Sequence, residues 1–192
     1  TTLRLREEDQ FLPDLDHLRE LATDETKLIA FTNPNNPTGA LIERPMLEKI
    51  VEIADKADAY LLCDEVYRGT AQVGDGMVSS IADMYRKGIS TAGMSKVFSL
   101  AGLRLGWVAA PQDVTEKIMI HRDYDTISVG MLNDHFAAIA LENAESVLSR
   151  SRQITRENLA ILEEWINNEP RVSWVNPRAG TTAMLKLDVP MT

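Results

Sequence analysis

The chain has 192 residues, of which 44% are hydrophobic and 26% are charged, the composition of an ordinary globular protein. Its net charge of −9 argues against nucleic acid as a partner, because binding a phosphate backbone requires a basic surface. Cys63 is the only cysteine, so an internal disulfide is impossible and a reducing, cytoplasmic location is expected. The sequence shows no apolar run long enough to span a bilayer, and both of its ends look cut.

The first half of the chain alternates predicted helices with short apolar runs. Such runs, when turn-forming residues bound them, are typical of buried parallel strands. Helices are predicted where a proline or a capping residue precedes apolar residues at helical spacing. In chain order the predicted elements are a short strand in residues 1–12, a helix from Pro13-Asp14, a strand at 28–32, a helix from Arg44-Pro45, a strand at 60–63, a short helix from Ser79-Ser80 to Arg86, and strands at 88–92 and 104–110.

The second half is predicted to be mostly helical and to end in two strands. The predicted elements are a helix at Asp113–His121, a break at 128–131, an almost continuous helix from Leu132 to Asn167, and strands at 172–175 and 181–187 around a turn at 176–180. None of the three histidines pairs with another at metal-ligand spacing, so no metal site is predicted. The glycines do not form the GxGxxG fingerprint, so nothing supports nicotinamide or flavin binding.

The order of these elements predicts an α/β fold. Alternating strands and helices favour a mainly parallel sheet with helices on both faces. The strand at 104–110 returns after the strand at 88–92 without a helical crossover, so we expect these two strands to be antiparallel.

Polar side chains follow three of the predicted strands. Asn33–Gly39 follows the predicted strand at 28–32, and Asp64–Tyr67 follows the one at 60–63. Ser95-Lys96 comes after the strand at 88–92, and Arg104 lies eight residues beyond the lysine. Ligands of α/β proteins bind outside the carboxyl ends of the strands. A desolvated lysine attacks aldehydes and an arginine can grip a phosphate, so this pair suggests pyridoxal phosphate. The alternatives are that both cations are solvated surface charges and that Asn36 makes only local turn bonds.

The stretches NPNNPTG (33–39), DEVY (64–67) and SKVFSLAGLRLG (95–106) together resemble the class I/II aminotransferases, the aspartate-aminotransferase-like enzymes of fold type I. Any one of them is a weak signal, whereas all three in this order are highly specific. The resemblance covers nearly the whole chain but only the middle of a family member. It implies part of the pyridoxal-phosphate-binding large domain in residues 1–143, and a connecting helix with the start of a smaller α+β domain in residues 144–192.

The resemblance also implies a role for each matching side chain. Lys96 would hold pyridoxal 5′-phosphate as a Schiff base and then move the α-proton of the substrate. Asp64 would pair with the pyridine nitrogen, and Tyr67 and Asn36 would hydrogen-bond the phenolic oxygen of the ring. Arg104 would bind the phosphate. The implied catalytic residues are Lys96, Asp64 and Tyr67, and the implied cofactor-binding residues are Asn36, Asp64, Tyr67, Ser95, Lys96 and Arg104.

One departure from the family pattern concerns the phosphate. Many members carry a Ser or Thr three residues before the lysine, where this chain has Gly93, although Ser95 is kept. The phosphate contacts are therefore fewer, or they are completed by residues elsewhere. Glu65 is expected to be structural or to face outward, and Arg178 to be solvated rather than to clamp a substrate carboxylate.

The activity implied is that of a homodimeric aminotransferase acting on an amino acid and a 2-oxo acid. C–S lysis, decarboxylation or an oxygen-using reaction on the same scaffold stays open. A ligand-sensing domain of a transcription regulator and an inert fragment also stay open. The ring-stacking aromatic residue, the Gly-rich phosphate loop and the carboxylate-binding arginine of family members are not identified here. The 192 residues alone are therefore expected to be inactive.

Overall fold

The computed structural model describes residues 1–190 and contains a four-stranded sheet, six α-helices and a separate two-stranded sheet. In chain order the elements are α1 (Leu15–Leu21), β1 (Leu28–Thr32), α2 (Arg44–Lys56), β2 (Tyr60–Asp64), α3 (Ile81–Met84), β3 (Gly88–Gly93), a 3₁₀ turn (Ala101–Leu103), β4 (Gly106–Ala109), α4 (Gln112–Arg122), α5 (Met131–Glu142), α6 (Ala144–Asn168), β5 (Val172–Trp174) and β6 (Leu185–Leu187).

The four-stranded sheet has the order β1-β2-β3-β4, and its first three strands are parallel. β4 runs antiparallel to β3. Thr32 at the end of β1 lies opposite Asp64 at the end of β2, and Asp64 lies opposite Thr91 near the end of β3. The carboxyl ends of the three parallel strands therefore meet at one edge. The predicted α/β fold, its mainly parallel sheet and the antiparallel return of β4 are confirmed.

One face of the sheet is covered by α1, α2 and α3. Pro45 lies in the first turn of α2, where its missing N–H costs no hydrogen bond. The apolar side of this helix buries Leu47, Ile50 and Ile53 against Leu61 of β2. Burying such side chains stabilises the fold by about 1.5–3 kcal/mol each.

Cys63 belongs to the same core, as predicted. It is 1% exposed, and burial raises the pKa of its thiol, with the nearby carboxylates of Glu65 and Asp64 adding to the effect. Since the thiolate is the reactive form, this cysteine is a small core residue rather than a nucleophile.

The opposite face carries alternate strand residues, because successive side chains of a strand point to opposite sides. Near the amino ends of the strands, Leu28, Tyr60 and Ile89 share a groove with Val114 and Ile118 of α4. Helices therefore contact both faces of the sheet, as predicted, although Leu28 remains 49% exposed.

A second core lies beyond the carboxyl edge of the sheet. Here α5 and α6, which meet at Asn143, pack against the loop after β3. Its buried members are Met94, Val97, Phe98, Ala137, Ala140 and Leu148. β5 and β6 form an antiparallel pair after α6. The last two residues of the predicted second domain, 191 and 192, lie outside the described residues.

Two predicted strands differ from the structure. Residues 1–12, all within the described chain, form no strand, because residues 7–11 make turns in which Gln10 and Phe11 have φ angles of 55° and 57°. Such left-handed residues cannot extend a strand. β4 begins at Gly106 rather than at Arg104, because Arg104 has a φ of 48°.

Two further elements, α3 and β6, are shorter than predicted. α3 ends at Met84 rather than at Arg86, because Tyr85 is already extended with a φ of −139°. β6 begins at Leu185 rather than at residue 181, and its three residues pair with Val172–Trp174 of β5.

Candidate active site

The carboxyl edge of the sheet is extended by two backbone hydrogen bonds between its loops. The amide of Asn33 donates to the carbonyl of Asp64 over 3.0 Å, and the amide of Glu65 donates to the carbonyl of Thr91 over 2.8 Å. These bonds continue the strand ladder past the strands themselves. The loops after β1 and β2 are therefore fixed to each other and to β3.

The loop after β1 holds itself together through its asparagines. Asn33 is 1% exposed and exchanges two hydrogen bonds with the backbone of Ile42, over 3.0 and 2.9 Å. Asn35 donates to the hydroxyl of Thr32 over 2.8 Å and accepts from that of Thr38 over 2.7 Å. Local turn bonds thus occupy Asn33 and Asn35. The side-chain amide of Asn36 reaches out of its own loop instead.

Asn36 and Tyr67, which the family resemblance assigns to the same oxygen of the cofactor, contact each other. The Nδ2 of Asn36 donates to the hydroxyl oxygen of Tyr67 over 3.2 Å, although the two residues lie 31 positions apart. Tyr67 is 3% exposed, so its phenol is held by the packing around it. The amide and the phenol form a pair at the carboxyl edge of the sheet.

The two carboxylates after β2 have different environments. Asp64 is half-buried, and its Oδ1 accepts the backbone amide of Val66 over 3.1 Å. Glu65 is 4% exposed, and its Oε1 accepts from the hydroxyl of Ser80 over 3.1 Å and from the amide of Ile81 over 2.8 Å. Glu65 therefore caps the start of α3 and is structural, while Asp64 lies at the carboxyl end of β2, the sheet edge from which the loops of Asn36 and Tyr67 extend.

Lys96 lies in the loop after β3, whose backbone is anchored on both sides of it. Met94 is fully buried and Val97 nearly so, and the carbonyl of Val97 accepts the hydroxyl of Ser151 in α6 over 2.6 Å. The lysine side chain itself is exposed, and its Nζ lies 5.9 Å from the centre of the Tyr67 ring. Lys96, Tyr67 and Asn36 are thus brought together from three loops.

The side chain of Arg104 is exposed, so neighbouring residues fix its position less firmly than they fix that of the buried Tyr67. Its guanidinium donates to the carbonyl of Ala101 within its own turn over 3.1 Å. The turn is tied back to the lysine loop, because the amide of Met94 donates to the carbonyl of Leu105 over 3.0 Å. Ser95 is half-buried in the same loop. The cations and Ser95 therefore belong to one local structure.

Gly93 has a packing reason for departing from the family pattern. A Cβ atom there would lie 3.0 Å from the carbonyl oxygen of Leu105 and 3.2 Å from the Cα of Gly106. These distances are crowded and both neighbours are backbone, so a Ser or Thr would push β3 and β4 apart. The close approach of the two strands therefore disfavours the side chain that many members place here, because the backbone would have to shift by a few tenths of an ångström.

A cavity of about 270 Å³ opens beside Lys96. It lies between the lysine loop, α6 and the chain that precedes β6, and Gln72, Asn158 and Thr182 contribute polar groups to its lining. The side-chain oxygens of Gln72 and Thr182 are buried and have no hydrogen-bond partner within the protein.

Arg178, the other arginine considered from the sequence, lies apart from these groups. Its guanidinium pairs with the carboxylate of Glu43 over 2.6 Å, and both side chains are about half exposed. Its backbone belongs to a loop that contacts Gly39, the last residue of the 33–39 motif, and Thr70, which sequence reasoning did not single out. The only signal for Thr70 was its position, three residues after Tyr67.

Neither a metal-ion cluster nor a membrane-spanning helix is found among the described residues. Within residues 1–190, no three His, Cys, Asp or Glu side chains are grouped as a metal ion would require. Among the described helices, none has both the length and the apolar character needed to cross a membrane.

Residues 1–189 match the family model of aminotransferase class I and II. The chain belongs to this family. It is 32% identical over 180 residues to capreomycidine synthase of Streptomyces vinaceus, covering 93% of this chain and 46% of that protein. The solved structure of a PLP-dependent aminotransferase from Streptococcus suis superimposes with a TM-score of 0.92 at 45% identity, covering 97% of this chain and 49% of that one.

The PLP-dependent cyclase OrfR superimposes with a TM-score of 0.81 at 28% identity, covering 88% of this chain and 44% of that one. The chain therefore spans about half the length of the proteins that it resembles.

Family membership implies pyridoxal 5′-phosphate as the cofactor. The donor set at the carboxyl edge fits this group chemically. It offers a primary amine for the aldehyde, a carboxylate for the ring nitrogen and an amide–phenol pair for the phenolic oxygen. Arg104, in the turn tied to the lysine loop, offers a guanidinium for the phosphate.

Proposed function

We propose that the full-length protein is a pyridoxal-phosphate-dependent aminotransferase that transfers an amino group between an amino acid and a 2-oxo acid. The observation that carries this proposal is the convergence of Lys96, Tyr67 and Asn36 from three separate loops, with Asp64 at the same edge. The cofactor, when bound, supplies the electron sink that makes the α-proton of an amino acid removable. The side chains of this chain bind it, orient it and move the proton.

Lys96 is the residue that we assign to covalent attachment and proton transfer. Its Nζ lies 5.9 Å from the Tyr67 ring, on a loop whose backbone is held by the buried Met94 and Val97. A fixed backbone with a long side chain lets one amine serve both tasks in turn. Positioned side chains of this kind contribute about 10²–10⁴-fold through proton transfer.

Asp64, Tyr67 and Asn36 are assigned to the ring. The carboxylate of Asp64 would pair with the ring nitrogen and keep it protonated. The hydroxyl of Tyr67, 3.2 Å from the amide of Asn36, would donate to the phenolic oxygen. Arg104 and Ser95 are assigned to the phosphate, which the planar guanidinium matches with paired hydrogen bonds. Gly93 provides no hydroxyl there, so these two residues are the phosphate contacts that the chain itself offers.

The cavity beside Lys96 is assigned to the amino-acid side chain. It adjoins the amine that would move the α-proton, and about 270 Å³ is enough room for a side chain of moderate size. The unpaired oxygens of Gln72 and Thr182 favour a substrate that brings a hydrogen-bond donor, because a buried acceptor without a partner is costly.

The test is a half-reaction with the cofactor-loaded full-length protein. Each of a panel of amino acids is added in stoichiometric amount without a 2-oxo acid, and the corresponding keto acid is measured by mass spectrometry. Stoichiometric keto acid with conversion of the cofactor to its amine form supports amino transfer. Turnover that yields sulfide, carbon dioxide or peroxide instead would assign the lysis, decarboxylation or oxidase alternative.

A second candidate is a cyclase. It is favoured by one specific observation, that a relative over 93% of the chain is named capreomycidine synthase and a structural neighbour is named a PLP-dependent cyclase. A cyclase uses the same proton removal but returns a product with the nitrogen retained. In the same experiment it would give a product that keeps the amino group and forms no keto acid.

We also propose that the full-length protein is a homodimer and that residues 144–192 begin its smaller domain. Several apolar side chains of α5 and the chain before it are exposed, among them Ile127, Met131, Leu132 and Phe136. Exposed apolar side chains favour association, and two-fold dimers are the commonest oligomers. Sedimentation of the full-length enzyme tests this, and an active monomer would contradict it. The 192 residues alone are predicted to be inactive.

A further inference from the structure

The chain between β5 and β6 contains a short segment that is buried against the candidate active site. We name residues 177–180 the docking loop. Pro177, Ala179 and Gly180 of this loop are buried, and Ala179 packs with Leu41 and Ala71 in a small apolar cluster. The docking loop therefore contacts the two segments that carry Asn36 and Tyr67.

Gly39 joins the docking loop to the segment of Asn36. The carbonyl of Gly39 accepts the amides of Arg178 over 2.9 Å and of Ala179 over 3.1 Å. Gly39 has a φ of 70°, and a Cβ atom there would collide with Pro177 and lie 2.9 Å from the carbonyl oxygen of Ala179. Only glycine fits this close approach. The loop of Asn36 is thus pressed directly onto the docking loop.

Thr70 joins the docking loop to the segment of Tyr67. Its side chain is 1% exposed, and its hydroxyl has a partner on each side. The hydroxyl donates to the carbonyl of Tyr67 over 2.6 Å and accepts the amide of Gly180 over 2.9 Å. One hydroxyl therefore connects the turn that presents Tyr67 to a residue 110 positions away.

We propose that Thr70 is a positioning residue, which ties the docking loop to Tyr67 and so holds the Asn36–Tyr67 pair at one separation. Gly39 fixes one member of the pair and Thr70 the other, and both are anchored to the same four residues. Thr70 does not touch the cofactor or the substrate; it acts through Tyr67. The consequence for the cofactor rests on the proposed function, whereas the structural link does not.

The role requires a hydroxyl and not merely the volume of threonine. The side chain of valine has nearly the same shape, but it can neither donate to Tyr67 nor accept from Gly180, and only the backbone amide at this position would still donate to the carbonyl of Tyr67. The amide of Gly180 is buried, so removing its acceptor leaves an unsatisfied donor. Serine keeps both hydrogen bonds and loses only a methyl group. Thr70→Val and Thr70→Ser therefore separate positioning from packing.

The structural link is tested by hydrogen exchange on the cofactor-free full-length protein. Thr70→Val should speed exchange about five- to tenfold at residues 177–180, the equivalent of one lost hydrogen bond, and also in residues 35–40 and 66–69. Thr70→Ser should restore the wild-type rates. Thr115→Val is the matched control, because Thr115 donates to the carbonyl of Pro111 over 2.9 Å in the remote helix α4. Faster exchange at residues 177–180 alone would overturn the link.

The effect on the pair is tested with the cofactor bound, by following cofactor absorbance against pH. A hydroxyl donor held at the phenolic oxygen stabilises the cofactor form in which that oxygen is ionised, and so lowers the pH at which the absorbance changes. Thr70→Val should therefore raise the pH of the absorbance transition by about half a unit to one unit. Thr70→Ser and Thr115→Val should leave the transition in place. An unchanged transition in Thr70→Val would overturn the proposal. A wild-type protein that binds no cofactor would contradict the proposed function, while hydrogen exchange would still decide the link.

Discussion

The two sides of the candidate site differ in how the chain holds them. On the side of the amide–phenol pair, Tyr67 is 3% exposed and its hydroxyl already accepts from Asn36. On the side of the cations, Lys96 and Arg104 are exposed, and the guanidinium of Arg104 bonds to the carbonyl of Ala101 in its own turn. Packing within the chain fixes the first side, whereas only the backbone is fixed on the second.

This difference indicates what each side contributes. The amide–phenol side can offer a preset geometry to a ligand, because its donors lose little freedom on binding. The cation side offers charges on long side chains that must be ordered when they bind. Substitutions of Lys96, Asp64 and Arg104 test what the cations and the neighbouring carboxylate contribute, and they are given in order of expected effect.

The largest effect is expected from Lys96→Ala in the full-length enzyme. Turnover should fall by at least about 10²–10⁴-fold, because both covalent attachment and proton transfer are lost. Steady-state kinetics with excess cofactor measures this. Lys49→Ala, at an exposed position on α2, is the matched control and should change little. Near-normal turnover of Lys96→Ala would remove the cation side from the mechanism.

The next effect separates the neighbouring carboxylates. Asp64→Asn should keep the fold but lower turnover by roughly 10²–10³-fold, the cost typical of losing one well-placed electrostatic group. Glu65→Gln should instead destabilise the protein by about 1 kcal/mol, because it weakens the capping bonds to Ser80 and Ile81. Kinetics and urea unfolding of both variants measure the two effects. The reverse pattern would show that Glu65, not Asp64, faces the ring.

The smallest of the three effects is expected from Arg104→Gln. Cofactor affinity should fall about 10- to 100-fold, since a charge-assisted hydrogen bond contributes about 1.5–3 kcal/mol. Equilibrium dialysis against pyridoxal 5′-phosphate measures it, and Arg150→Gln on the exposed side of α6 is the control. Equal cofactor affinities for the two variants would mean that residues other than Arg104 hold the phosphate.

The strands that present the site could be predicted because their signals are local. β1 has the predicted boundaries, since five residues with apolar character end at a cluster of asparagine and proline. β2 and β3 each differ from prediction by a single residue at the carboxyl end. The order of the strands followed from the helices between them. By contrast, the assignment of Asn36 and Tyr67 to one oxygen of the cofactor came from the family resemblance, and their contact with each other is visible only in the folded chain.

The rest depends on contacts that no local pattern reports. Arg104 takes a left-handed conformation without being Gly, Asn or Asp, and this delays the start of β4. Turns replace the strand predicted near the amino terminus, where the apolar alternation was weak. The bond from Gly180 to Thr70 joins residues 110 positions apart, so only the folded chain reveals it. Local sequence patterns were enough to predict most helices and strands, whereas tertiary contacts determine how the site residues are held.

The central claim is that Lys96 is the residue that carries the cofactor. The direct measurement is to load the full-length protein with pyridoxal 5′-phosphate, reduce it with borohydride, digest it and map the modified lysine by mass spectrometry. The arrangement of Lys96 over the Tyr67 ring predicts a stoichiometric adduct on Lys96 that Lys96→Ala abolishes. An adduct on another lysine, with Lys96 unmodified, would contradict the account.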